Sequence, residues 1–556
     1  MNNGIMPSMM AFLKILPALP KRWVLNIISI QEKKPYNFYV VLIFAGFVGI
    51  LRYTLEIMLA HKNLLSLNVS LVQHLVFYLH CIFIYTFILR IFIPHMAWKQ
   101  MVPLVLIGVF LGIFPPLIDV LVYGVGDFKY GYVVKFEEDW NWLIYNQEAN
   151  VPLGEASVLF TTIFFVGVVV YVKTSSVLKT LCSFLLSYAA VFFYGGILPL
   201  IADHAFASMQ EGFVYSVDLP AQSFGNLGGF SLPIQVSLFQ LLVCVVLYFA
   251  LNNQLFFGLI KRLNHAIPVV LTCLLGFSVY KPLDAYAFMI ALCMFFGALV
   301  VIVQNDYFDI DDDKKQGRNN YVNKDDVAFF NSIFAILILL FIFSGNFSGY
   351  MMLLFFLVSI LYNYDIYRGK KYFPTNYKIE GIAGLSAYLA GVAMMISTHY
   401  AMSGDVLNVD QFERIKDYGS LIPQIENEVF TAEYLWIAFF VFGGWSILSV
   451  IKDYKDIESD QLVGNQTAYT LLLKSGKNIQ KFHKIYTLVL SLSMLIPLVW
   501  LFNINAALLF KVCLVLLTLT FFVVINRAPV KSTVALGLMC ANFYLLNLVL
   551  AFHLSH

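Results

Sequence analysis

An all-α protein that crosses a membrane many times is the fold class this sequence predicts, and three observations predict it. The composition is 60% hydrophobic and only 12% charged, where soluble domains carry about a quarter charged residues. The mean hydropathy is +0.79. Apolar runs of about twenty residues, the length a helix needs to cross the hydrocarbon core, recur along the whole chain of 556 residues. A net charge of +2 supplies no field that would gather nucleic acid, so no nucleic-acid partner is expected. The seven cysteines all lie in apolar segments without metal-ligand spacing, and they read as small packing residues.

Taken in order, residues 1–35 read as an N-terminal cytoplasmic or interfacial segment. Their positive charge follows the apolar run, and Pro17 and Pro20 interrupt it, which argues against a signal peptide. Six spans are then expected at about 36–59, 70–94, 101–123, 157–173, 177–202 and 231–252. Nine more are expected at about 265–281, 283–304, 327–344, 348–364, 379–399, 433–451, 484–503, 505–526 and 532–553. The natural division lies near Asn252–Lys261, giving a six-span domain at 36–255 and a nine-span domain at 256–556.

The loops test this count. Lys21, Arg22, Lys33 and Lys34 precede the first span, so the N-terminus is expected inside. By parity, Arg90 and Lys99, Lys173 and Lys179, and Lys261 and Arg262 then also fall inside. The long segments 124–156 and 203–230 fall outside and are poor in Lys and Arg. The same parity puts 305–326, 368–378, 452–482 and 527–531 on the cytoplasmic side. The expected location is an integral membrane protein of a bacterial inner membrane, with its active site facing the cytoplasm.

Two of these inside loops carry the chemistry. The stretch NDYFDIDDD follows an apolar span directly, and aspartates at a membrane edge are functional by default. Asp306, Asp309 and Asp313 stand at i, i+3 and i+7, which places them within about 60° of one another on a helix. Asp311 and Asp312 point elsewhere and read as solvated. The stretch DYKDIESD repeats the spacing with Asp453, Asp456 and Asp460. Carboxylate oxygens are hard ligands suited to Mg²⁺, which is commonly held by one or two carboxylates together with substrate phosphates. Nearby bases suit a diphosphate: Lys314, Lys315 and Arg318, then Arg368, Lys370, Lys371 and Lys378, then Lys452, Lys455 and Lys474. Loops on the inner face are basic for topological reasons too.

On these residues the nine-span domain, about 260–556, resembles the UbiA superfamily of intramembrane prenyltransferases. The first family motif, NDxxDxxxD, is met by Asn305, Asp306, Asp309 and Asp313. The second, DxxDxxxD followed by GxxT, is met by Asp453, Asp456, Asp460, Gly464 and Thr467. Tyr362 and the run Arg368 to Lys378 resemble the family's loop between its fourth and fifth helices. The resemblance implies a nine-helix bundle in which these seven motif residues hold Mg²⁺. Asp306, Asp309, Asp453 and Asp456 would be the catalytic core. Lys314, Arg318, Tyr362, Arg368, Lys371 and Lys378 would bind substrate. The implied partners are a prenyl diphosphate donor, a small-molecule or lipid acceptor such as an aromatic quinone precursor, and membrane lipids. Here the sequence departs from the family: Arg318 is followed by Asn319 rather than Pro, and Thr470 matches the downstream threonine as well as Thr467 does.

The alternatives are a relative that uses another diphosphate donor or cyclises a prenyl chain, and a cation transporter. Transport sites usually lie near the bilayer midplane at broken helices, whereas these aspartates sit at helix ends. In the first domain, Glu56, His80 and Asp119 fall inside spans. They either share one polar site or are satisfied separately, the more ordinary arrangement.

Overall fold

The computed structural model describes residues 36–60, 67–125, 153–193, 232–278, 285–315, 321–364, 369–402, 432–486 and 489. Among them the secondary structure is helical, with a single isolated bridge between Tyr372 and Gln466 and no strand. Among the described residues, seven helices are long and apolar enough to cross a membrane, or nine if two bent pairs each count as one. Helices are the expected solution, because lipid offers no partner to an unpaired backbone group. The spans expected at 505–526 and 532–553, and nearly all of 484–503, lie outside the described residues, as does the segment 1–35. The chain divides between Phe256 and Phe257 into two compact units.

The first unit holds α1 (Phe38–Ala60), α2 (Leu67–Phe92), α3 (Trp98–Phe110), α4 (Pro115–Tyr123), α5 (Leu153–Thr174), α6 (Val177–Phe192) and α7 (Leu232–Leu251). Helix α2 packs against α1, α3 and α7. The third span is broken: a 3-10 turn, Leu111–Ile113, separates α3 from α4. Proline explains the break. Pro116 has no N–H to give to the carbonyl of Gly112, four residues earlier. Two buried side chains take that freed carbonyl instead, Arg52 Nη1 at 3.3 Å and Tyr78 Oη at 3.0 Å.

Arg52 is itself neutralised by Glu56, 2.5 Å away, and His74 Nε2 lies 3.7 Å from the same carboxylate oxygen. His80 meets the carbonyl of Gln240 at 3.2 Å, and Asp119 accepts from the N–H of Gly154 in the first turn of α5 at 2.6 Å. Glu56, His80 and Asp119 are thus held by different partners. This is the separate satisfaction weighed from sequence.

The second unit begins within α8 (Asn253–Ile260) and continues through α9 (Ile267–Ser278), α10 (Ala285–Phe308), α11 (Ile310–Lys315), α12 (Lys324–Phe343), α13 (Ser348–Asn363), α14 (Thr375–Met402), α15 (Ala432–Asp453), α16 (Ile457–Val463) and α17 (Ala468–Lys474). Helix α14 packs against α9, α10, α13 and α15. The approach of α9 to α14 depends on glycine. A Cβ at Gly276 would stand 2.0 Å from the carbonyl oxygen of Tyr388, and one at Gly391 would stand 2.0 Å from that of Cys273. Helix α12 starts on a capping box. Asn323 Oδ1 accepts from the N–H of Asp325 at 2.9 Å, and Asp326 Oδ2 accepts from the N–H of Asn323 at 2.8 Å.

Candidate functional site

The first motif sits where α10 ends. The helix is interrupted at Asp309, but the winding persists: the N–H of Asp309 donates to the carbonyl of Asn305 at 3.0 Å and that of Asp313 to the carbonyl of Asp309 at 2.7 Å. Asp306, Asp309 and Asp313 therefore keep neighbouring angular positions. Asp306 and Asp313 are buried, whereas the Asp311 side chain is 92% exposed, with Lys314 4.0 Å away. Asp312 departs from its expected solvation. Its side chain is half-buried and pairs with Lys371 at 3.3 Å, because the 3-10 turn Gly369–Lys371 reaches back over α11.

Other cations also reach the first motif. Arg262, just before α9, pairs with Asp306. Lys370 Nζ lies 2.5 Å from Asp309 Oδ1 and 3.1 Å from Asn305 Oδ1. Beneath the motif an amide network ties α10 to its neighbours. Gln304 Nε2 donates to Asn331 Oδ1 at 2.9 Å, Asn331 Nδ2 donates to the Tyr364 hydroxyl at 2.9 Å, and Asn363 Nδ2 donates to Gln304 Oε1 at 3.3 Å. Such buried networks fix one arrangement of the helices that carry them.

The second motif departs from one helical face. Helix α15 stops at Asp453, a 3-10 turn spans Tyr454–Asp456, and α16 sets off at a bend. The first residue of the turn, Tyr454, is held by side-chain packing. The ring of Tyr454 stacks on His483 with centroids 4.0 Å apart and meets Tyr469 edge-on at 5.3 Å. The Tyr469 hydroxyl shares a hydrogen bond with His483 Nδ1 at 2.9 Å. Burial raises the Tyr469 hydroxyl above its usual range and lowers His483, so both stay neutral near pH 7.

Asp453 Oδ2 accepts from the Tyr377 hydroxyl at 3.0 Å, which in turn accepts from the N–H of Ala468 at 2.8 Å. Asp460 Oδ1 accepts from Asn465 Nδ2 at 2.9 Å. Gly464 closes α16 with φ of 79°, a left-handed conformation that glycine adopts without strain. Thr467 and Thr470 form the capping box that opens α17, so both candidate threonines act on the backbone.

One backbone contact ties the loops of the two motifs together. The N–H of Gln466 donates to the carbonyl of Lys371 at 2.9 Å, beside the Tyr372–Gln466 bridge, so the loop after the second motif is tied to the basic turn over the first. Burial pushes the Asp460 carboxyl up, and the charges of Asp456 and, least, Asp309 add to that rise.

Of the residues read as substrate-binding, Lys371 is in this cluster and Tyr362 is close by, its hydroxyl donating to Glu380 Oε1 at 2.7 Å. Lys314 is turned outward towards Asp311, and the side chain of Lys378 is exposed. Arg318 and Arg368 lie outside the described residues. Sequence reasoning missed Arg262, Tyr377 and Glu380 as members of the site. Glu380 carried a signal: it is the lone acid within the span expected at 379–399.

Among the described residues, no three His, Cys, Asp or Glu side chains converge closely enough to hold one metal ion. The donor set still fits Mg²⁺ in kind. That ion takes hard oxygens, needs only one or two carboxylates, and fills its remaining positions with water and phosphate oxygens. A family model described as the UbiA prenyltransferase family matches residues 266–546, just over half of the chain. No curated protein and no solved structure matches it.

Proposed function

The chain belongs to the UbiA prenyltransferase family, and from that premise we propose Mg²⁺-dependent transfer of a prenyl group from a prenyl diphosphate to a lipophilic acceptor, such as an aromatic quinone precursor. The observation that carries the proposal is the meeting of the two aspartate motifs. The loop that follows the second motif is joined to the basic turn over the first by the hydrogen bond from the N–H of Gln466 to the carbonyl of Lys371. Two acidic motifs tied together in this way suit a hard divalent cation that also takes phosphate oxygens.

In this reading Asn305, Asp306, Asp309 and Asp313 of the first motif and Asp453, Asp456 and Asp460 of the second would hold Mg²⁺. Bound Mg²⁺ neutralises the charge that develops on the departing diphosphate. Lys370, Lys371 and Arg262 supply further positive charge to the diphosphate oxygens as the aspartates turn to the metal. Asp306, Asp309, Asp453 and Asp456 are the residues on which the rate depends. The donor's C1–oxygen bond breaks, its electron pair leaves with the diphosphate, and the acceptor's nucleophilic atom bonds to C1 and gives up its proton to water or the released diphosphate. The apolar helices exclude water, which protects the allylic carbon from hydrolysis. The transferase belongs to residues 256–556, and by the positive-inside distribution the site faces the cytoplasm.

The test uses the purified full chain with a labelled prenyl diphosphate, Mg²⁺ and a membrane lipid extract. Release of diphosphate with a new prenylated lipid product is expected, and both should fall about 10²–10³-fold in D306N and D453N. Equal release by those variants, or ion flux in liposomes without turnover, overturns the proposal.

A further inference from the structure

The cations around the two motifs differ in what anchors them. Arg262 is held by Asp306, and Lys370 by Asp309. Both partners are motif aspartates, so metal binding takes the anchor away. Lys452 is held differently. Its Nζ lies 2.6 Å from Glu380 Oε1, a carboxylate of α14 outside both motifs. The same oxygen accepts from the hydroxyl of Tyr362 on α13 at 2.7 Å. Three helices thus meet at one oxygen atom, in a setting where the Lys452 and Glu380 side chains are only 32% and 16% exposed. An ammonium group has three donors, and the Glu380 bond takes one of them. Lys452 is also the residue immediately before Asp453, and the charges of Lys452 and Glu380 both act on that carboxylate.

We infer that Glu380 is a positioning residue. With Tyr362 it braces Lys452, so that the ammonium stays fixed beside the second motif and takes a diphosphate oxygen when metal ions occupy the aspartates. The inference rests on the proposed function and deepens it. Its counterpart at the first motif is Lys371, anchored by Asp312, which is also outside the motif pattern. That pair is looser, at 3.3 Å, and its lysine sits on a short 3-10 turn rather than in a helix. The brace at Glu380 is therefore the more rigid of the two. Rigidity matters because a pre-placed cation loses less freedom on binding than one that must be recruited.

The test is binding of inorganic diphosphate with Mg²⁺ to the full chain in detergent, by calorimetry, alongside steady-state kinetics with a prenyl diphosphate. E380Q and K452Q should each weaken diphosphate binding about tenfold, the scale of one charge-assisted hydrogen bond. The double variant should be no worse than the weaker single variant, because Glu380 acts through Lys452. Kinetically the loss should appear mainly in KM for the donor, and E380D should recover part of it. Y362F should give a smaller loss in the same direction. Unchanged diphosphate affinity in E380Q overturns the inference, as do losses that add in the double variant. Should E380Q fail to fold, E380D, Y362F and K452Q carry the same comparison. A wild-type chain that neither binds diphosphate nor releases it from the donor overturns the proposed function as well, which separates the two failures.

Discussion

The two units treat buried charge in opposite ways. In the first unit, each ionisable group discussed above is matched by a partner belonging to the fold itself. Arg52 answers a carbonyl freed by Pro116, Glu56 answers Arg52, and Asp119 answers the start of α5. In the second unit, carboxylates gather at helix ends in excess, and their partners are largely cations on turns and connecting segments: Arg262, Lys370 and Lys371. The first arrangement closes on itself and stabilises a broken span. In the proposed reading the second gives up partners when it receives a ligand. A charge inside a membrane protein thus marks a site when its partner is free to leave, and marks a structural repair when it is not.

The comparison can be broken most forcefully in the first unit. E56Q strands Arg52 in a buried setting and should cost about 3–5 kcal/mol of stability. Thermal unfolding of the purified chain would register it, while diphosphate release per folded molecule should hold. Next come D306N and D453N. Each should lower the rate of diphosphate release by about 10²–10³-fold, the scale for losing one electrostatic group aimed at a transition state. Their melting temperatures should stay near that of the wild type.

K370Q sharpens the contrast further. It removes a cation that only borrows its place on Asp309, so KM for the donor should rise about tenfold with a smaller change in kcat. The smallest effect is expected from T467A. It removes the cap of α17 and should cost about 1 kcal/mol, seen as a modest fall in melting temperature.

Much of this organisation could be read from the residues alone. The described spans follow the apolar runs because length and hydrophobicity decide what crosses a bilayer. Asp306, Asp309 and Asp313 stayed together because the backbone of α10 keeps winding through Asp309. The second motif did not obey the same spacing rule. Packing of Tyr454 against His483 and Tyr469 turns the chain between Asp453 and Asp456, and residues so far apart in sequence leave no local signal. The pairs Arg262–Asp306, Asp312–Lys371 and Lys452–Glu380 were invisible for the same reason, since each depends on how helices and turns pack. Asp311 and Asp312 show the limit sharply. Adjacent and chemically identical, they part only because the Gly369–Lys371 turn covers one of them.

The most direct measurement sets one variant from each unit side by side, reading Mg²⁺-dependent diphosphate release per folded molecule together with the melting temperature. D453N is expected to lose release and keep its melting temperature, and E56Q to lose melting temperature and keep release. The account is contradicted if D453N turns over prenyl diphosphate at the wild-type rate, or if E56Q, while folded, does not.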